Sequence, residues 1–417
     1  MYFPYFRGRQ YELLALRELA QGGLLGGRVI PVVEPIKLTP TFSGTVKLFA
    51  DKKQPLALIL NPAVGELTSG AAAGAAADGS LAGAAADATA GVAAGVAAGV
   101  AATAGAAAGS AASAAIGAAT GAVDTAGSVA AGATVGATAT AGLLMAGAAT
   151  GAAAAAGSPA AGSAAGAVLP FISGSVIPAV IMGEGAAGAM AALSAKNMPA
   201  GGALALMDSR DFLGQYRSLF GGEPPRFTLF PRGERAIRRA VGENRAMFED
   251  KFRKREKNAD YLKREDEFYS DDHLYFSEEG FVGFGDYSIV GDEYDESGFA
   301  PRAVAIHIVY FADGGSAENT LRVRHFVSDT NDDISDVAGK FHEAAMKLKR
   351  WHEAAGRDAA GRARQLTAAM RALLGYAEDG YYPGLPTVKK LSIMHHLELV
   401  GKYLGARGGG IDGGMGG

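Results

Sequence analysis

The stretch Leu56-Ala57-Leu58-Ile59-Leu60 decides the fold class, because five consecutive apolar residues predict a strand that is buried on both faces. Strands of this kind belong to parallel sheets that carry helices on both sides. Upstream, the apolar residues of Pro40 to Asp51 and of Arg9 to Ala20 recur with a helical period. Arg28 to Val33 and Tyr2 to Phe6 predict the two preceding strands. The start of the chain therefore indicates successive β/α units rather than an all-helical or all-β fold.

The same alternation resumes after residue 200. Further strands are predicted at Ala203–Met207, Phe227–Phe230, Val282–Val290, Ala303–Phe311 and Leu321–Val327. Further helices are predicted at Ser209–Phe220, Ser335–His352, Gly361–Leu374 and Leu391–Leu404. These strand candidates approach the ~250-residue eight-stranded barrel, but Asp313-Gly314-Gly315 predicts a hairpin, whose two strands are antiparallel. We therefore expect an α/β, barrel-like (β/α) fold with irregular closure.

An alanine-glycine block interrupts this fold. Alanine and glycine fill more than two thirds of positions 71–168, and no aromatic residue occurs between Ala50 and Pro170. Such a block buries little apolar surface, because large side chains supply most of the free energy of burial. We expect weak helices without a stable membrane span there, since interior glycines destabilise helices. The chain thus divides into N-terminal β/α units (1–66), a low-complexity segment (67–200), a C-terminal α/β part of the barrel (201–404) and a glycine-rich tail (405–417).

The composition excludes several classes of function. With 39 basic and 43 acidic residues, the net charge of −4 gives no overall electrostatic attraction for nucleic acid, so such a partner would have to be held locally. The absence of cysteine excludes a disulfide framework, a thiolate zinc site, an iron–sulfur cluster and a cysteine nucleophile. The first residues lack the basic start and apolar run of a signal peptide. We therefore expect a cytoplasmic protein and no membrane partner.

The segment from Arg232 to Glu279 is dense in charges of both signs, including Arg253-Lys254-Arg255-Glu256-Lys257. Mixed charges at this spacing are typical of solvated helix faces or a mobile loop. The alternative is that the segment forms the contact surface of an interaction subunit.

Both ends of the chain contain specific motifs that the overall amino-acid composition does not account for. The opening Met1-Tyr2-Phe3-Pro4-Tyr5-Phe6-Arg7-Gly8-Arg9-Gln10-Tyr11-Glu12-Leu13 is followed by Val32-Val33-Glu34-Pro35 and Leu58-Ile59-Leu60-Asn61-Pro62. Later motifs are Gly285-Asp286-Tyr287-Ser288-Ile289-Val290-Gly291-Asp292-Glu293-Tyr294, Gly298-Phe299-Ala300-Pro301, His325-Phe326-Val327-Ser328-Asp329 and Lys390-Leu391-Ser392-Ile393-Met394-His395-His396-Leu397-Glu398. With these motifs, about two thirds of the chain resembles an uncharacterised bacterial family related to the phage Beta proteins.

That family is similar to proteins encoded near phage-defence or mobile-element genes. The resemblance therefore implies a role in phage–host conflict, without implying a particular reaction. Members of the family would be expected to have ordinary strands and helices where this chain has Ala71 to Val168, so the middle of the chain departs from the family.

The candidate site residues follow the predicted strands, because ligands of parallel barrels gather at the carboxyl ends of the strands. The polar residues at these positions are Arg7, Glu34, Lys37, Asn61, Asp208 and Asp286. We expect Glu34 and Asp286 to be catalytic, and Lys37 and Asn61 to bind substrate. Glu34 and Asn61 each precede a proline, and either could instead cap the next helix or turn.

Arg7 and Arg9 flank Gly8 at the start of the first predicted helix. This position favours binding of a phosphate or carboxylate, because helix N-termini and guanidinium groups both attract anions. The alternative is that both arginines pair with nearby acidic side chains.

Two histidines give the most specific arrangement in the sequence. If residues 312–320 form a hairpin loop, Phe311 faces Leu321, and the same register places His307 opposite His325. With Asp286 on another strand, this pair could bind a divalent metal or act as an acid–base pair. The alternative is a hydrogen-bonded pair of partly buried histidines.

Several familiar signatures are missing, among them the phosphate loop of nucleotide-binding ATPases, the Gly-x-Ser-x-Gly elbow and the His-Glu-x-x-His zinc motif. Our leading hypothesis is a cytoplasmic protein of phage–host conflict that hydrolyses a phosphate ester or nucleic acid. A divalent metal could assist this reaction, with ligands that the sequence does not identify. The alternative is a non-catalytic interaction subunit of a defence complex.

Overall fold

The computed structural model describes residues 1–68, 163–295, 301–312, 320–354 and 365–408. Eight parallel strands close into a barrel, which confirms the predicted α/β barrel. Seven of them occur in chain order: β1 Tyr2–Phe6, β2 Val32–Val33, β3 Leu56–Ile59, β4 Val176–Ile181, β5 Leu204–Leu206, β6 Phe227–Phe230 and β7 Arg245–Phe248. The eighth barrel strand is β9, Gly283–Asp286.

The barrel closes where β9 pairs with β1. The register places Phe3 opposite Gly285 and Pro4 opposite Asp286, and on its other side β9 pairs with β7. Closure is therefore complete, and the irregularity lies in the connection between β7 and β9. This connection carries the additional strand β8, Asp266–Ser270, which joins a separate sheet.

That second sheet is antiparallel and has three strands in the order β10-β11-β8, where β10 is Ala305–Phe311 and β11 is Leu321–Val327. Phe311 pairs with Leu321 and His307 with His325, so the predicted hairpin register is confirmed. The assignment of these two strands to the barrel is wrong, because an antiparallel hairpin does not fit an all-parallel barrel.

Two barrel strands were missed by the sequence analysis. Strand β4 lies inside the segment 67–200, and β7 lies inside the charged segment from Arg232 to Glu279. Strand β4 contains Pro178, which is unusual in a central strand, and β7 has only four residues, the first of which is the charged Arg245. The low-complexity segment is thus part of the barrel from residue 163 onward, while residues 69–162 and the prediction of weak helices there lie outside the described residues.

Helices cover the outside of the barrel and both faces of the second sheet. In the first half of the chain they are α1 Gln10–Gln21, α2 Pro40–Asp51, α3 Ala164–Val168, α4 Ala186–Ala195 and α5 Leu213–Phe220. In the second half they are α6 Arg235–Ala240, α7 Asp272–Tyr275, α8 Val337–Ala354, α9 Ala368–Asp379 and α10 Leu385–Gly408. Thr39 caps α2 and Thr367 caps α9, because each hydroxyl accepts a bond from a backbone N–H in the first turn.

Helix α10 is longer than predicted and takes in the first residues of the expected glycine-rich tail. It packs against α1 of the barrel and against β10 of the second sheet. Among the described helices, none has the length and apolar character needed to cross a membrane.

Side chains alternate between two cores. The barrel interior contains Phe3, Tyr5, Val32 and Ile59, whereas Tyr2 and Phe284 belong to the layer between strands and helices. Since successive residues of a strand point to opposite faces, this alternation decides which polar residues at the strand ends face the barrel axis.

Candidate functional site

A pocket of about 430 Å³ lies beside the C-terminal ends of three neighbouring barrel strands. Its lining includes Arg9 after β1, Phe252, Lys254 and Arg255 after β7, and Ile289, Val290 and Asp295 after β9. His307 of β10 and the first turns of α10 complete the wall. The pocket therefore lies on the side of the barrel where enzymes of this architecture carry their active sites.

His307 and His325 are hydrogen-bonded through their Nδ1 atoms, which are 2.8 Å apart. Among the described residues this is the hydrogen bond that His307 makes, and it does not involve Nε2 of its ring. The His307 ring lines the pocket. Tyr261 packs against both rings, with centroids 4.7 Å from His307 and 4.4 Å from His325. Burial, followed by the charges of His325 and Lys389, lowers the pKa of His307 well below 6.5, so its ring is neutral at pH 7.

Glu267 of β8 stands behind His325. Its Oε1 is 3.6 Å from Nε2 of His325, and both side chains are buried. Arg255 donates to the same carboxylate from the pocket wall. Burial lowers the pKa of His325 to about 4, although the charge of Glu267 acts in the opposite direction. Both histidines are therefore neutral at pH 7.

Four cationic side chains line the pocket, namely Arg9, Lys254, Arg255 and Lys389. Arg9 donates to the Tyr11 hydroxyl at 3.0 Å and to the Asp295 carbonyl oxygen at 3.2 Å, without a carboxylate partner in either bond. Lys254 pairs with Glu293 at 3.0 Å. Two acidic residues, Glu256 and Asp295, also line the cavity, and Arg255 and Lys254 are each paired with a carboxylate outside the lining.

Lys389 is the most unusual of these cations. Its Nζ lies 5.7 Å from the centre of the Tyr11 ring. Although the side chain keeps solvent exposure, desolvation and then the charges of Arg9 and Lys254 lower the pKa of its ammonium group, against the opposing effect of Glu12. An anion in the pocket would relieve the repulsion among these cations.

The predicted site residues Arg7, Glu34 and Asn61 lie outside this pocket, at the mouth of the barrel. Glu34 is buried, accepts hydrogen bonds from Tyr5 and from two backbone N–H groups of the loop after β3, and lies 3.5 Å from Arg7. Asn61 bonds to the backbone of Ile181 and Glu184 at the end of β4. Both side chains therefore join the ends of neighbouring strands.

Lys37 and Asp208 are exposed, and Lys37 pairs with Glu66 at 2.7 Å. Neither lines the pocket.

Asp286 faces the helical layer instead of the pocket. It accepts hydrogen bonds from the Tyr2 hydroxyl at 2.9 Å and from the Ser288 backbone N–H at 2.7 Å. Ser288 in turn bonds to Nδ1 of His396 on α10 at 3.0 Å. Burial raises the pKa of Asp286 to about 6, while its hydrogen bonds act in the opposite direction. This network ties the end of β9 to α10.

Within the described residues, no three or more histidine, aspartate or glutamate groups are arranged to hold a metal ion. The predicted combination of Asp286 with both histidines is therefore not assembled, because Asp286 bonds to Tyr2 and Ser288 in another layer.

Several charges of the segment from Arg232 to Glu279 are paired with one another, and others pair with residues outside it. Arg232 contacts Asp272 and Glu279, and Lys251 lies 2.8 Å from Asp272. The segment builds β7, β8 and part of the pocket wall, so it is neither a loop nor simply a solvated helix face.

Sequence reasoning placed Arg9 and His307 among the site residues but missed Lys254, Tyr261, Glu267 and Lys389. The position of Glu267 in the alternating pattern of its strand could have indicated that its side chain is buried. Nothing in the sequence, however, predicts that β8 pairs with β11. No family model, curated protein or solved structure matched the chain.

Proposed function

We propose that the protein is a cytoplasmic enzyme that hydrolyses a phosphate ester in the pocket beside His307. The observation that carries this proposal is a neutral histidine in a cavity whose wall holds four cationic side chains. Arginine and lysine are the usual ligands of phosphate groups, and a neutral imidazole is the usual general base. The resemblance of the chain to a family related to the phage Beta proteins supports a setting in phage–host conflict.

The reaction would use a water molecule as nucleophile. His307 Nε2 takes a proton from the water as its oxygen forms a bond to phosphorus, and the ester P–O bond breaks. The leaving oxygen receives a proton from the Lys389 ammonium group, whose lowered pKa makes it a better acid. Proton exchange with solvent then restores neutral His307 and charged Lys389. No redox partner is needed.

Positive charge is the main requirement of such a reaction, because charge develops on the phosphoryl oxygens in the transition state. Arg9, Lys254 and Lys389 would supply this charge from the pocket wall. A divalent metal could supply part of it instead, with ligands that include the substrate. Metal analysis of the purified chain, with hydrolysis measured before and after chelation, would distinguish the two versions.

The test is hydrolysis of a panel of phosphate monoesters, phosphate diesters and single-stranded oligonucleotides. The wild-type chain should cleave at least one class, and His307→Gln should lower kcat roughly 100-fold or more. His342→Gln is the matched control, because His342 is exposed on α8 and should leave kcat unchanged. Absence of hydrolysis across the panel, or equal rates for His307→Gln and wild type, would overturn the proposal.

The competing proposal is a non-catalytic interaction subunit that captures a partner through the segment from Arg232 to Glu279. It predicts that charge reversal at the exposed Arg239, which does not line the pocket, abolishes partner capture, while His307→Gln has no effect. The hydrolase proposal predicts that only the histidine variant changes the measured rate.

A further inference from the structure

Three groups on three strands form a line from the buried side of the second sheet to the pocket. Glu267 lies on β8, His325 on β11 and His307 on β10. Glu267 Oε1 is 3.6 Å from His325 Nε2, and His325 Nδ1 is 2.8 Å from His307 Nδ1. The line ends at the ring of His307, which lines the cavity.

Two atoms in this line are buried without a hydrogen-bond partner. They are Nε2 of His325 and the second carboxylate oxygen of Glu267, Oε2, which lies 3.6 Å from the Arg253 guanidinium group. An unpaired buried polar atom costs about 1 to 3 kcal/mol, so a small approach of the two side chains that forms a direct hydrogen bond is favourable. Since an ionised carboxylate only accepts hydrogen bonds, the proton of neutral His325 belongs on Nε2.

The position of this proton determines the state of His307. With Nε2 protonated, Nδ1 of neutral His325 carries a lone pair and accepts a hydrogen bond. The proton of that bond must then come from Nδ1 of His307, because the two Nδ1 atoms are 2.8 Å apart. Neutral His307 consequently has a lone pair on Nε2, which is the form required of a general base.

We propose that Glu267 and His325 are positioning residues that hold His307 in the tautomer with a free Nε2 lone pair in the pocket. This inference rests on the proposed function, in which His307 accepts the proton of the attacking water. When His307 takes that proton, its Nδ1–H bond to His325 is kept, and the carboxylate of Glu267 stabilises the new positive charge through the His325 ring. Arg255, Tyr261 and Lys389 also face this line, and Arg255 and Lys389 oppose the positive charge.

The first test reads the tautomers directly. Two-dimensional proton–nitrogen NMR on the full chain with ¹⁵N-labelled histidine distinguishes a protonated from an unprotonated ring nitrogen. The chain has 7 histidines, so the signals of His307 and His325 can be assigned by comparison with His307→Gln and His325→Gln. The wild-type chain should show Nδ1–H for His307 and Nε2–H for His325. A proton on Nε2 of His307 in the wild-type spectrum would overturn the proposal by itself, before any variant of Glu267 is measured.

The second test uses Glu267→Gln. The glutamine amide can donate to His325 Nε2, which would move the His325 proton to Nδ1 and the His307 proton to Nε2. We expect this change of tautomer in the spectrum, with kcat lowered roughly 100-fold and phosphate affinity unchanged. Glu265→Gln is the control, because this exposed side chain lies two residues away and pairs with Arg324 instead of a histidine.

The two measurements separate the failure of this inference from the failure of the proposed function. Hydrolysis by the wild-type chain with unchanged tautomers in Glu267→Gln would contradict the positioning role alone. Lack of hydrolysis with the expected tautomers would contradict the proposed function and leave the hydrogen-bonded line established. A thermal melt of Glu267→Gln shows whether the loss of its pair with Arg255 has unfolded the chain.

Discussion

Lys389 and Lys390 are adjacent residues of α10 with different surroundings. Lys389 lines the pocket, whereas Nζ of Lys390 lies 2.6 Å from a carboxylate oxygen of Glu18 on α1. If the pocket holds a phosphate group, only the first lysine contacts it. The same substitution at both positions therefore separates a change in the pocket from a change in the net charge of the protein.

We predict that Lys389→Gln weakens binding of inorganic phosphate about 10-fold, which corresponds to about 1.4 kcal/mol. The reason is the loss of one charged hydrogen-bond donor from the pocket wall. Lys390→Gln should leave the affinity unchanged. Isothermal titration calorimetry at constant ionic strength measures both, and equal losses in the two variants would show that phosphate binds elsewhere.

Asp286 makes the stability of the fold depend on pH. Its folded pKa of about 6 lies above the usual 3.8, so the protonated carboxyl favours the folded state. This contribution is complete below the pKa of the unfolded chain and is lost as the pH rises through the folded value. A difference of about two pKa units corresponds to about 3 kcal/mol.

We predict that Asp286→Asn becomes more stable relative to wild type by about 3 kcal/mol between pH 3.5 and pH 7.5, because asparagine does not ionise. Denaturant unfolding of both proteins across this range measures the difference. Asp208→Asn, at an exposed position, is the control. A difference between Asp286→Asn and wild type that is independent of pH would contradict this account.

Among the elements of the barrel, strand β9 closes against β1 because Gly285 has no side chain. A Cβ atom at Gly285 would overlap the carbonyl oxygen of Phe3 and lie 3.0 Å from both Phe3 Cβ and the Phe248 ring. Gly188 in α4 has open space at the same position. Alanine substitution at these two glycines therefore compares a position where the added methyl group overlaps its neighbours with a helix position where it does not.

We predict that Gly285→Ala lowers the free energy of unfolding by about 1 to 3 kcal/mol, as overpacked cores do. Gly188→Ala should raise it by about 0.5 to 1 kcal/mol, because alanine has the higher helix propensity. Urea unfolding of both variants tests the pair. Equal stability of Gly285→Ala and wild type would show that β9 and β1 do not approach as closely as described.

The sequence was most informative where local chemistry decides the structure. The hairpin register that places His307 opposite His325 followed from a glycine-rich turn and the alternation of two strands. Helix α2 was predicted with its observed ends, because Thr39-Pro40 forms a typical helix start. By contrast, β4 and β7 are strands because their neighbours in the barrel pair with them, and neither has an alternating pattern of its own.

The site was only partly predictable, because contacts between distant parts of the chain bring its residues together. Arg9, Lys254, His307 and Lys389 come from four separate parts of the chain. Their proximity depends on how α10 packs between α1 and the second sheet, and this packing leaves no local signal in the sequence. Asp286 and Glu34 were correctly placed at strand ends, but their hydrogen bonds hold the fold together outside the pocket.

At the scale of the whole molecule, the second sheet moves the candidate site away from the barrel axis. At the mouth of the barrel, the rings of Tyr5, Phe248 and Tyr287 pack with centroids 5.0 to 5.7 Å apart, and Glu34 is held by its own hydrogen bonds. The pocket opens instead between the strand ends, the hairpin that carries both histidines and the start of α10. We propose that an anion binds there.

The most direct test is a crystal structure of the full chain grown with tungstate, an oxyanion that resembles phosphate and is located by its anomalous scattering. We predict an anomalous peak inside the pocket, within hydrogen-bond distance of Lys389 Nζ and the Arg9 guanidinium group. The peak should disappear in Lys389→Gln crystals and persist in Lys390→Gln crystals. An empty pocket with tungstate bound beside Arg7 at the barrel mouth would show that the pocket is not an anion site.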